Sequence, residues 1–301
     1  MPSQTFVATL VANPLQSALS DALIARIAQA LPGFASKQWL DPNIAADLFF
    51  TTDDSALALA RAELGAALAG ESVDAIVQPA AGRRKKLLLA DMDSTLIGQE
   101  CIDELAARVG IGARVAAITE RAMRGEIAFE PALRERVALL AGLPETVIAE
   151  VLESRIALTP GGRALVQTMR AGGAYTAIVS GGFTQFTSVV AGRLGMHEHR
   201  ANELIVENGR LAGRVGEPIL GRDAKLATLR DLRTRHGLGL HETLAVGDGA
   251  NDLAMLGEAG LGVAYRAKPA VAAAAHARID HADLTALLYA QGFARSEFIE
   301  D

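Results

Sequence analysis

Asp91 and Asp93 flank Met92 directly after the apolar run at residues 86–90 (KLLLA), with Ser94 and Thr95 next in line. Two carboxylates two residues apart, where a buried strand ends, are costly unless a cation offsets them. A divalent metal ion is the natural candidate. One carboxylate of such a pair could attack phosphorus and form an acyl phosphate. The other could protonate the leaving alkoxide and then deprotonate the attacking water. A DxD alone reads as readily as a helix N-cap or a solvated turn, so its partners decide. Ser180-Gly181-Gly182-Phe183-Thr184 follows residues 175–179 (YTAIV) and offers a hydroxyl and bare backbone N–H groups ahead of a helix. That suits phosphate, although Ser-Gly-Gly is also a common turn. Gly247-Asp248-Gly249-Ala250-Asn251-Asp252 follows residues 243–246 (TLAV) and brings two more carboxylates and an amide. An oxygen-rich set of this kind suits Mg2+, a hard cation that keeps waters and also binds substrate phosphate. On its own it reads as a Gly-rich turn with an Asp cap. A basic side chain is still needed. Lys225, opening the helix ahead of the third run, could hold phosphate and offset Asp91. Arg222 competes for that role, and a lone lysine is ordinarily a solvated one.

The elements that must position these clusters follow from the same runs. Each run is short, rich in branched residues and polar only at its C-terminal end, as buried parallel strands are. Helical patterns lie between them. One covers residues 163–170, with Thr159 as N-cap, Pro160 at the first helical position and Gly172 just past the end. Another runs from about 223 to 235. Alternating strand and helix predicts a doubly wound α/β sheet, in which ligands bind outside the carboxyl ends of the strands. All three polar clusters fall there.

Two stretches break the alternation. Residues 98–158 follow the first core strand, where a connection of about 2–6 residues is usual, and carry their own helical periodicity (Ile102, Leu105, Val109; Leu133, Val137, Leu140). They read as a helical cap inserted over the strand ends. Residues 203–215 contain Asn208-Gly209 between alternating segments, the mark of a tight hairpin. Residues 1–84 read as a separate small α+β domain in the order βαβαβ, joined through residues 80–86 (AAGRRKK). The acidic end, residues 296–301, reads as a frayed tail.

Composition narrows the class. The 301 residues suffice for two domains, half of them are apolar, and the net charge of −6 does not suggest a nucleic-acid or membrane-surface partner. A single cysteine, Cys101, excludes an internal disulfide framework and fits a reducing compartment. No spanning apolar segment and no leader pattern is evident, so the expected setting is the cytoplasm. None of the six histidines has zinc-ligand spacing, and His197 and His199 read as surface residues.

Taken together, DMDST, SGG, Lys225 and GDGAND resemble the haloacid dehalogenase superfamily of phosphotransferases, in that family's order and each after an apolar strand. Within it, residues 91–103 (DMDSTLIGQECID), 121–140, 180–184, 223–225 (DAK) and 246–253 (VGDGANDL) are similar to the phosphoserine phosphatases, over residues 85 to 288. The resemblance implies an HAD core with an inserted cap, magnesium dependence and O-phosphoserine as substrate. It implies Asp91 as nucleophile and Asp93 as general acid/base. It places Mg2+ on the side chains of Asp91 and Asp248 and the backbone carbonyl of Asp93. Ser180, Gly181 and Lys225 would bind phosphate, with Thr95 and Gly182 in support. Asn251 and Asp252 would order the site and its water. Cap residues Glu100 and Arg136 would read the serine moiety, with Met123 and Phe129 as the apolar wall. Charge logic agrees: phosphoserine carries an ammonium and a carboxylate, and arginine grips a carboxylate through two parallel hydrogen bonds. Otherwise Glu100 and Arg136 would read as an exposed helix face. Residues 1–84 resemble the ACT-like domain that precedes some of these enzymes, without the Gly-containing ligand turn near residues 12–17. That domain implies either effector sensing or homodimerisation. The rival readings are a phosphatase for another small phosphomonoester, such as phosphohomoserine, and a catalytically silent amino-acid sensor. The intact acid, base, metal and phosphate positions disfavour the sensor.

Overall fold

The computed structural model describes residues 4–16, 18–123 and 126–300. At the N-terminus β1 (Gln4–Ala12), α1 (Asp21–Ala28), β2 (Phe34–Asp41), β3 (Ala45–Thr52), α2 (Asp54–Ala67) and β4 (Val73–Pro79) build an antiparallel sheet in the order β2-β3-β1-β4. Phe6, Ala8 and Leu10 on β1 pack against Leu23, Ile24 and Ile27 of α1 and Leu64 of α2. Val11, Ala45 and Ile76, from the other face, join the core of the larger domain. Burial on both faces explains why β1 reads as one continuous apolar run. The expected βαβαβ order lacks one element, because β2 is a strand that the periodicity did not reveal. It lies at the sheet edge with its first five residues exposed, so no apolar alternation marks it.

The larger domain is a six-stranded parallel sheet of β5 (Leu87–Ala90), β6 (Tyr175–Phe183), β7 (Glu198–Asn202), β10 (Thr243–Gly247), β11 (Leu261–Tyr265) and β12 (Ala277–Ile279). Its order is β12-β11-β10-β5-β6-β7. The three runs read from sequence are the central strands. From β5 the chain winds outward through β6 to β7, then returns to β10 on the other side of β5, so the winding reverses between β5 and β10. A crevice opens at the carboxyl ends of the strands at such a switch point. The connecting helices are α7 (Gly162–Ala171), α8 (Thr184–Leu194), α9 (Arg222–Arg235), α10 (Leu253–Glu258), α11 (Pro269–Ala274) and α12 (Ala286–Ala290).

Between β5 and α7 lie four helices, α3 (Cys101–Arg108), α4 (Gly112–Met123), α5 (Phe129–Ala138) and α6 (Thr146–Ser154). Their two ends meet: Ile97 and Leu158 form an antiparallel bridge, and Thr159 N–H donates to Leu96 C=O at 2.9 Å. The hairpin β8 (Leu204–Glu207) and β9 (Arg210–Val215) turns at Asn208 and Gly209, with φ of 53° and 71°, as a two-residue turn of positive φ requires. It braces the cap through paired backbone bonds of 2.8 Å between Leu211 and residues Gly142 and Leu143.

Three local readings are corrected. Helix α7 starts at Gly162, not after a Thr159 cap and Pro160. Gly161 turns left-handed at φ 77°, where a Cβ would lie 2.6 Å from Thr285 N, so the helix cannot begin earlier. The acidic end is docked rather than frayed: Ile299 N–H donates to Thr168 Oγ1 at 2.8 Å and Phe298 packs on Tyr289. His199 is a half-buried member of β7 bonded to Thr187 Oγ1 at 2.9 Å, while His197 is exposed.

Candidate active site

The site begins with a buried lysine. Lys225, on the first turn of α9, is 1 % exposed, and its Nζ lies 2.6 Å from Asp91 Oδ2 and 2.6 Å from Asp252 Oδ1. Burial alone would depress an ammonium. The two carboxylates outweigh it and hold the lysine charged well above its ordinary range. Arg222, one turn earlier, is exposed to solvent, so of the two it is Lys225 that meets Asp91. Asp91 closes β5, and its Oδ1 accepts from the Met92 N–H at 2.7 Å. The chain then turns sharply at Ser94, which adopts φ 54°.

Carboxylates crowd this spot. Oxygen atoms of Asp91, Asp248 and Asp252 all lie within 4.8 Å of one another. Burial, then the charges of Asp91 and Glu100, push Asp248 up to about 6, although Thr95 Oγ1 donates to its Oδ1 at 3.2 Å. Burial and Asp91 push Asp252 up to about 7 despite Lys225 and the Gly249 N–H, which donates at 3.0 Å. Asp93 is raised well above its usual range by burial, Glu100 and Asp91, and its Oδ1 is buried without a hydrogen-bond partner. An anionic cluster with one lysine is under-neutralised. The hard-oxygen donor set fits a divalent cation. The close-set carboxylate oxygens belong to Asp91, Asp248 and Asp252.

The glycines are required by contact. A Cβ on Gly247 would lie 2.4 Å from Asp252 Cγ, and one on Gly182 would lie 2.9 Å from Asp93 Oδ2. Ser180 Oγ accepts from the Gly182 N–H at 2.9 Å, which leaves the hydroxyl proton free to donate.

These groups open into one cavity of about 300 Å3 between the core and the cap. From the core it is lined by Asp91, Asp93, Asp248, Asn251, Ser180, Gly181 and Gly182, and from the cap by Glu100, Phe129 and Arg136. Thr95, Asp252 and Lys225 stand behind its wall. Glu100 accepts from Ser94 Oγ at 2.7 Å, and its carboxyl is raised by partial desolvation with Asp91 and Asp103 nearby. Arg136 is half-buried. It donates to Ala132 C=O at 3.3 Å and Thr119 Oγ1 at 3.4 Å, and makes no ion pair among the described residues. Desolvation lowers its guanidinium, against the charges of Asp103 and Glu100. The Phe129 ring lies over Gly181, where a Cβ would sit 3.3 Å from it. Met123 ends α4, and its side chain lies outside the described residues. Cys101 is fully buried, and its thiol is held neutral by burial and by Asp93.

Sequence reasoning missed Ile102, Thr119, Leu133 and Phe183 as lining residues. Ile102 and Leu133 were visible only as helical periodicity. Thr119 carries no sequence signal.

The haloacid dehalogenase-like hydrolase family matches residues 88–257, more than half of the chain. A phosphoserine phosphatase of Mycobacterium tuberculosis is 46% identical over 231 residues, covering 76% of this chain and 56% of its own length. The chain thus spans little more than half the length of the first curated relatives it matches. A solved structure of a probable phosphoserine phosphatase from Vibrio cholerae superposes with a TM-score of 0.75 at 32% identity, over 99% of this chain and 90% of that one. A phospho-aspartyl intermediate analogue of a phosphoserine phosphatase superposes at 0.64 and 39% identity, over 68% of this chain and 98% of that one.

Proposed function

This chain belongs to the haloacid dehalogenase-like hydrolase family, and we propose that it hydrolyses O-phospho-L-serine to L-serine and phosphate through an aspartyl-phosphate on Asp91. The observation that carries this reading is one cavity lined together by the carboxylates of Asp91, Asp93 and Asp248, by Ser180 and Gly181, and by an acid and a base from the cap, Glu100 and Arg136. The relatives named as phosphoserine phosphatases support the substrate.

Asp91 attacks phosphorus while Lys225 balances its charge and fixes its Oδ2. Asp93, whose carboxyl burial and anionic neighbours raise well above its usual range, donates to the departing serine oxygen and later deprotonates the attacking water. The Ser180 hydroxyl and the Gly181 N–H receive the phosphate oxygens. Arg136 faces the substrate carboxylate and Glu100 its ammonium. Asp91, Asp248 and the Asp93 carbonyl would hold Mg2+, which when bound supplies positive charge against the phosphate. Asp252 holds Lys225 in place, and Asn251 orders the water side of the cavity.

In this reading residues 85–301 form the catalytic unit, with the cap at about 98–158. Residues 1–84 are an ACT-like accessory domain, and its exposed edge strand β2 is suited to pairing two copies.

Phosphate release from a panel of small phosphomonoesters, with and without Mg2+, tests the proposal. Phosphoserine should be turned over in preference to phosphoethanolamine, which has no carboxylate for Arg136. No release from phosphoserine in saturating Mg2+ refutes it.

A further inference from the structure

Strand β6 changes character where the site begins. It pairs with β7 through Val179↔Arg200 and resumes only at Phe183↔Asn202, so Ser180, Gly181 and Gly182 bulge out opposite a single residue, Ala201. A bulge leaves its extra residues without ladder bonds. The amide of Asn202, 2 % exposed at the end of β7, takes their place. Its Nδ2 donates to Gly181 C=O at 2.9 Å and to Leu220 C=O at 3.2 Å, and its Oδ1 accepts from Leu220 N–H at 2.6 Å. Three hydrogen bonds from one buried side chain thus join the Ser-Gly-Gly loop to the segment that leads into α9 and Lys225.

We infer that Asn202 is a positioning residue for phosphate binding, holding the Gly181–Gly182 peptide plane so that its carbonyl faces away from the cavity. The geometry of a planar peptide carries the argument. The carbonyl is held by Asn202 on one side, and the N–H of the same plane is held by Ser180 Oγ on the other. With both ends fixed, Ser180 must spend its oxygen lone pair on Gly182 and present its proton to the ligand. Released from Asn202, the plane is held only through Ser180 and can turn, and a carbonyl turned inward meets a phosphate oxygen as one acceptor against another. Asn202 does not line the cavity, so its effect passes through Gly181. Glycine at 181 and 182 gives this plane rotational freedom that other residues lack, which is why it needs an external lock.

The inference rests on the phosphate site of the proposed function. The variants are Asn202→Asp, which keeps the shape and loses both donors, and Asn202→Ala, which adds no charge should the first fail to fold. The probe is inorganic phosphate with Mg2+ in the full chain, its dissociation constant read by calorimetry beside KM, kcat and the thermal midpoint. Losing these bonds should weaken phosphate by roughly tenfold, the effect of one or two buried hydrogen bonds. KM should rise by the same factor for phosphoserine and for an aryl phosphate, with the thermal midpoint of at least one variant kept. Unchanged phosphate affinity in a folded variant overturns the inference alone. Collapse of both variants also overturns it, because Asn202 would then serve the fold. No phosphate binding by the wild-type chain overturns the proposed function instead, and this inference with it.

Discussion

Asp248→Asn should stabilise the metal-free protein while removing its activity. Burial and two neighbouring carboxylates raise Asp248 from 3.8 to about 6. The folded state therefore holds this proton more tightly than the unfolded state. Below about pH 4 both states are protonated and nothing is gained or lost. Through about pH 4 to 6 the folded state alone keeps the proton, and above that range it must hold an unwelcome anion, so stability falls as pH rises. About two pH units correspond to about 3 kcal/mol, and Asp248 is not sealed from water, so about 2 kcal/mol is the expected cost at pH 8. Asparagine keeps an oxygen for the Thr95 hydroxyl and carries no charge. Urea denaturation in a chelator should show the variant more stable by that amount at pH 8, with the difference vanishing near pH 4. Added Mg2+ should stabilise wild type and not the variant, closing or reversing the gap. A variant less stable than wild type at pH 8 without metal would refute the view of an under-neutralised cluster awaiting a cation.

Asp91→Asn should abolish phosphate release while circular dichroism and Mg2+-free folding persist, since Lys225 keeps Asp252 as partner. Arg136→Ala should cost phosphoserine at least tenfold more in kcat/KM than an aryl phosphate, the scale of a lost charge-assisted hydrogen bond; equal losses would remove Arg136 from substrate recognition. Lys225→Met should destabilise the fold by about 3–5 kcal/mol at pH 8, as breaking a buried pair does. That loss should shrink in acid, because the carboxyl of Asp252, already at about 7, takes up a proton there. Asp74→Ala should loosen the N-terminal domain. Its buried carboxylate accepts backbone N–H bonds from Asp280, His281 and Ala282 at 2.8 to 3.0 Å, so a loss on the order of 3 kcal/mol is expected by denaturation, with kcat unaltered.

Much of this site was legible because its residues come in contiguous clusters. Asp91, Asp93 and Asp248 each follow an apolar run that reads as a buried strand, and parallel strands of a doubly wound sheet place such ends together. The cap was legible from excess length alone. Strand β2 was not, because an exposed edge strand carries no alternation. The Thr159 cap was misread because local capping preferences cannot see that Thr285 presses on Gly161. Thr119 and Asn202 had no signal: each acts through one side chain set by packing, Thr119 beside Arg136 and Asn202 beside the bulge in β6.

Taken alone, the chain's order of residues determined which side chains are chemically able, the acids, the hydroxyl, the lysine and the bare glycines, and that each follows a strand. Only the tertiary structure decided which of them share one space. It chose Lys225 over Arg222, placed Asp252 behind Asp91, and left one oxygen of Asp93 without a partner. The physical reason is range: backbone propensity acts over a few neighbouring residues, whereas desolvation and charge act across distances that only packing creates.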